Sequence, residues 1–217
     1  MNGLLIKDLQ LLKSQKNFFI MMFIITIGMV GLSYDSYFAI SFITFVMTLF
    51  TLSTISYDEF DNGYPFLMTL PFSRKNYVLE KYLFGILLGI CGWMYAFTVI
   101  TGFQLLNGQL ISIDDIIPSI LIIPSMLIVL AIMLPFHFKY GGEKGRIMII
   151  AVVACVILLA VAVFKIASNF NINLMVLFDQ LLSADAKIII MVIILLVAIF
   201  FGISYVISNR IVSHKEY

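Results

Sequence analysis

A chain of 217 residues that is 62% hydrophobic and 12% charged, with a mean hydropathy of +1.10, cannot cover its own surface with polar groups. Soluble domains carry about 25% charged residues, so a soluble globule is excluded, and so is a disordered chain. The net charge of +1 offers nucleic acid no electrostatic footprint.

Membrane helices need about 20 mostly apolar residues. The length therefore accommodates roughly six of them with short connections, and no second folded domain. A catalytic nucleotide-binding domain does not fit, and no G-x-x-x-x-G-K-[ST] phosphate loop occurs. The two cysteines, Cys91 and Cys155, fall inside apolar runs and form neither a disulfide framework nor a metal pattern.

In chain order, residues 1–17 come first. Leu5, Leu9 and Leu12 share a helical face opposite Lys7, Gln10 and Ser14. Asp8 interrupts the apolar side. The segment reads as an interfacial helix on the inner leaflet. Six apolar runs follow, over 18–32, 37–56, 82–103, 116–136, 147–164 and 188–207, and none has a charged residue in its interior. The first is short for a full crossing. A tight turn joins it to the second. The connection 57–81 is the longest on its side of the membrane. There Asn62 and Gly63 read as a helix stop. Pro65 suits the first turn of a new short helix, which ends near Leu70 and Pro71. Ser73 is placed to cap the next helix. Between the fifth and sixth runs, residues 165–185 are apolar yet too short in that character to span. They predict an external, partly immersed helix.

Orientation follows from the basic residues. Eleven Lys and Arg fall on the side holding both termini, the second-to-third connection and the fourth-to-fifth connection, and two (Lys165, Lys187) fall on the other. Both termini are expected in the cytoplasm, which makes this a multi-pass protein of the cell membrane.

The run Leu70, Pro71, Phe72, Ser73, Arg74, Lys75 resembles the turn that precedes the third helix in ABC-2 type transporter permeases. The stretch from Pro135 through His137, Lys139, Gly141 and Gly142 to Arg146 is similar to the second cytoplasmic loop of that family's small six-helix branch. The opening Leu4, Leu5, Ile6, Lys7, Asp8, Leu9 also matches the family's start. Within the branch, the chain resembles exporters of phenol-soluble modulins, which are amphipathic helical peptides. The resemblance implies a single all-α permease domain of six transmembrane helices that works as a dimer of permeases. It implies a coupling helix between spans two and three that enters a groove on a separate cytoplasmic ABC ATPase. It also implies the external helix between spans five and six. ATP and Mg belong to the partner, and this chain itself holds no cofactor and no catalytic residue.

Against that background the candidate residues divide into groups. Asp58, Glu59 and Asp61 cluster at the end of the second span, where acids oppose the helix dipole. They read as an ATPase contact or as a solvated helix end. Pro65, Phe66, Leu67 and Met68 put apolar groups in a loop, as a patch for a partner groove or as packing against the membrane and the chain's own spans. Arg74 and Lys75 suit the ATPase or anionic headgroups. Lys139, Gly142, Glu143, Lys144 and Arg146 form a flexible second contact with the ATPase. Tyr37, Ser41, Thr44, Thr48 and Thr51 make a hydroxyl stripe that lines a translocation path or bonds within and between helices. Gly85 and Gly89, near Gly92, favour close helix packing. His137 and His214 are isolated and give metal binding no support.

Membrane charge is retained where function needs it, and its absence from the span interiors weighs against an intramembrane protease and against an ion-coupled transporter. An exporter driven by a separate ATPase fits, with amphipathic peptides first among substrates and hydrophobic drugs or antimicrobial peptides next. A structural or sensor subunit is the alternative that composition leaves open.

Overall fold

The computed structural model describes residues 2–32, 36–60, 63–69, 72–108, 113–169 and 186–215. They form seven helices: α1 (Asn2–Ser14), α2 (Lys16–Gly31), α3 (Ser36–Glu59), α4 (Gly63–Met68), α5 (Arg74–Leu106), α6 (Ile113–Asn169) and α7 (Ala186–His214). Most of residues 165–185, where an external helix is expected, lie outside the described part.

Four segments are long and apolar enough to cross a membrane: Ser36–Glu59, Arg74–Leu106, Ile116–Gly142 and Met191–His214. A fifth arises if α1 and α2 count as one span, but they meet at a 67° bend. At 16 residues α2, largely apolar from Phe18 onward, is short, as the sequence implies. The bend leaves α1 lying across the end of the bundle rather than extending α2.

Helix α3 is the centre of the bundle. In its membrane window 61% of residues are buried, against 17% for α7, whose outward face of Ile194, Leu195, Ile199 and Phe200 is bare. The sequence explains the tight contact between α3 and α5. A Cβ at Gly89 would stand 2.1 Å from Met126 Sδ and 2.5 Å from Thr48 Oγ1, and one at Gly85 would stand 2.7 Å from Leu130 Cδ2. Glycine at both positions lets α3, α5 and α6 approach.

Helix α6 departs from expectation. The glycine-rich stretch 141–145 reads in the sequence as a flexible loop, but the helix runs on through Tyr140, breaks at Gly141 and resumes. Gly141 takes φ 75°, ψ 177°, a conformation glycine adopts without strain. The backbone across 147–164 is helical, as the fifth apolar run predicts.

Candidate functional site

Segments from α1, α3, α5, α6 and α7 converge at the end of the bundle that carries α4. Helix α5 begins with the predicted cap, since Ser73 Oγ accepts a hydrogen bond from the Asn76 amide at 3.2 Å. Helix α4 starts at Gly63, the second residue of the predicted stop, and carries Pro65 in its first turn. Its six residues have two faces. Tyr64 and Leu67 point inward and are buried, while Pro65 and Phe66 point outward, with Phe66 69% exposed. The expectation that Phe66 and Leu67 form one outward patch is thus corrected. They are adjacent in sequence, so a helix places them about 100° apart. Leu67 belongs to the chain's own interior. At the end of α3, Phe60 is 72% exposed and Tyr57 is exposed as well, the two lining an open cavity with Gln15 and Phe18. The Met68 side chain, Asp61 and Leu70 lie outside the described residues.

Behind α4 sits a buried cluster of charges. Lys81, at the foot of α5, is fully buried. Its ammonium stands 2.5 Å from Asp8 Oδ2 of α1, 2.9 Å from Asp58 Oδ2 of α3 and 2.9 Å from Thr54 Oγ1. An ammonium has three donors, and these three oxygens occupy them, while the buried carboxylate of Glu80 stands a little farther off at 3.7 Å. Lys7 of α1 also pairs with Asp58, and with Asp8 at 3.1 Å. Tyr77 Oη donates to Asp58 Oδ2 at 3.0 Å. Burial pushes the pKa of Asp8 up, but the ammonium of Lys81, then that of Lys7, outweighs it and holds the carboxyl below its ordinary value. Asp8, the residue that interrupts the apolar face of α1, is therefore where α1 is anchored. Asp58 turns inward to this cluster rather than out toward a partner.

Glu59, next along α3, does something different. Its Oε2 accepts the Gly142 amide at 3.0 Å, and its Oε1 pairs with Lys215 at 3.1 Å. A carboxylate at the first amide of the resumed helix favours that terminus and fixes the break at Gly141. Arg74 donates to the carbonyls of Val212, Ser213 and Lys215 at 3.3, 2.8 and 3.3 Å. It thereby closes the end of α7, as a cation does well there. Glu59, Arg74 and Gly142 are thus engaged within the chain. Lys75 and Lys139 are exposed. The side chains of Glu143, Lys144 and Arg146 lie outside the described residues. His137 is buried, with Nε2 3.1 Å from Ser56 Oγ.

The hydroxyl stripe is folded inward. Ser41, Thr44 and Thr48 donate to the carbonyls of Tyr37, Ile40 and Thr44 within α3, at 2.8, 2.7 and 2.7 Å. Thr44, Thr48 and Thr51 are fully buried, and Thr48 and Thr51 face the glycines of α5. In this conformation the stripe seals a helix seam, and a path along it requires α3 and α5 to part.

A model of the ABC-2 family transporter proteins matches residues 3–213. The chain belongs to that family. It is a multi-pass membrane transport component, and an ABC ATPase is the partner such membership implies. No curated protein and no solved structure is significantly similar to it.

The ion cluster escaped the sequence reading because its partners are far apart in the chain. The signal was present in Asp8, an acid on an apolar face, and in Lys81, a base at the mouth of an apolar run.

Proposed function

We propose that the chain is the permease subunit of an ATP-driven exporter. Six spans, with 18–32 and 147–164 as the first and fifth, place both termini in the cytoplasm. Two permeases pair around the substrate, and each binds a separate ATPase through α4. One observation supports this most: an exposed Phe66, on the outer face of a short helix between two membrane-length helices, inside a family of ABC transport components. An aromatic residue left in water is unfavourable, and a partner groove removes the cost.

Of the expected contact residues, Pro65, Phe66 and Lys75 remain available on the outer surface. Asp58, Glu59, Leu67 and Arg74 support that surface from within. The exposed Lys139 and the turn at Gly141 make the second contact, alongside the basic residues 144 and 146. The preferred cargo is an amphipathic peptide, as the resemblance to phenol-soluble modulin exporters implies. An open apolar cleft of about 590 Å³ between α5, α6 and α7, walled by Leu83, Ile123, Phe201 and Tyr205 among others, suits hydrophobic groups better than ions.

Purification tests the reading. A tagged chain drawn from its native membrane should bring an ABC ATPase with it. The pair should hydrolyse ATP, and the chain stripped of its partner should not. Turnover by the chain alone, or purification with no ATPase, would overturn the proposal.

A further inference from the structure

The ion cluster does more than anchor α1, because its members trace a continuous line of contact from α4 to α1. Tyr64 of α4 packs edge-on against Tyr77 of α5, with ring centroids 5.3 Å apart and planes at 89°. Tyr77 donates to Asp58 at the end of α3. Asp58 pairs with Lys81, and Lys81 pairs with Asp8 of α1. Leu4 of α1 lies in the same buried apolar cluster as Tyr64 and Tyr77. Every link in this line is buried, and it crosses four helices within one end of the bundle.

Buried ion pairs are costly to assemble, and apolar residues of similar volume often serve stability as well or better. A core that needed only stability could fill this space with leucine and valine. What an ion cluster provides instead is directional restraint, because an ammonium with all three donors engaged cannot shift without leaving a charge bare.

We propose that Lys81 pins α1, the end of α3 and the foot of α5 into one rigid unit, so that movement delivered at α4 is carried to α1. Lys81, Asp8 and Asp58 are then positioning residues for transport rather than members of the docking surface. The proposal rests on the reading that α4 docks an ATPase. The two are separable because the pin lies behind α4 and contributes nothing to its outer face.

The variant that tests it is Asp8→Asn. It keeps the shape and the acceptor oxygen but removes the charge that ties Lys81 to α1, leaving Lys7 as the remaining ionic tie of α1, on an Asp58 that it shares with Lys81. The experiment uses the complex with its ATPase in lipid nanodiscs, on a Cys91→Ala, Cys155→Ala background. Nitroxide labels replace Gln10 on α1 and Leu87 on α5, both exposed and both away from the outer face of α4. In the parent the distance between labels should be the same without nucleotide and with a non-hydrolysable ATP analogue. In Asp8→Asn it should shift or broaden when the analogue binds, with the ATPase still attached, and Asp8→Glu should restore the fixed distance. A purely structural Asp8 would change the melting temperature but leave the distance independent of nucleotide. That outcome overturns the proposal. So does a distance that moves with nucleotide in the parent, or loss of the ATPase from Asp8→Asn. Retention of the ATPase by Phe66→Ala overturns the docking reading instead.

Discussion

Gly89→Ala adds one methyl group at the tightest point of the bundle. Its Cβ would lie 2.1 Å from Met126 Sδ, 2.7 Å from Met126 Cε and 2.5 Å from Thr48 Oγ1. Met126 is flexible in principle, but it is fully buried and has nowhere to swing. Thr48 is branched at Cβ and bonded to the Thr44 carbonyl, which leaves it stiff. The helices must therefore separate or the side chains leave their rotamers, at about 1–3 kcal/mol for overpacking. Alanine also gains about 0.8–1.0 kcal/mol of helix propensity over glycine, which partly conceals the clash. Gly28→Ala supplies the reference, because nothing lies within 4 Å of a Cβ there. That variant should be neutral or slightly stabilised. The gap between the two variants, about 1–3 kcal/mol, isolates the cost of the seam. Thermal unfolding of both in the same detergent, followed by intrinsic fluorescence, reads it directly. If Gly89→Ala melts with or above Gly28→Ala, α3 and α5 do not meet as closely as described, and the account of the hydroxyl stripe as a packed seam fails with it.

Two further perturbations probe the same end of the bundle and the topology. Glu59→Ala removes both the acceptor of the Gly142 amide and the partner of Lys215. It should cost about 0.5–2 kcal/mol, as loss of a cap does, and hydrogen exchange at the Gly142 amide should accelerate; unchanged exchange would show that the break at Gly141 is held by something else. Single cysteines at Ser36, Ser112, Ser73 and Ser213, with Cys91 and Cys155 replaced by alanine, report sidedness. An impermeant thiol reagent on intact cells should label the first two only, and labelling at position 73 would reverse the proposed orientation.

Much of the architecture is legible in the sequence because membrane helices advertise themselves by length and apolarity. The cap at Ser73 and the short helix after Gly63 were legible for a local reason, since each depends on residues within one turn of itself. What stayed hidden was non-local. Asp8 and Lys81 are 73 positions apart, and Glu59 and Gly142 are 83 apart. No periodicity links such pairs. The acids at 58 and 59 look equivalent in a sequence, yet one turns into the bundle toward Lys81 and the other reaches across to Gly142. The opposite orientations of Phe66 and Leu67 are hidden in the sequence for a related reason. A six-residue helix is too short for its pattern to declare which side faces in. The packing of Tyr64 against Tyr77, with the Lys215 ammonium over the Tyr64 ring, sets its rotation.

The central claim is that the outer face of α4 docks an ATPase, and Phe66→Ala addresses it alone. The side chain is 69% exposed and makes no part of the buried core, so the chain should fold and run normally on gel filtration. Full burial of a phenylalanine in a partner groove is worth about 1.5–3 kcal/mol, which is a weakening of about ten- to a hundredfold in Kd. Titrating the ATPase against the permease in nanodiscs measures it. The account predicts that loss of affinity for Phe66→Ala, with unfolding unchanged. An ATPase that binds Phe66→Ala and the unaltered chain equally would contradict it.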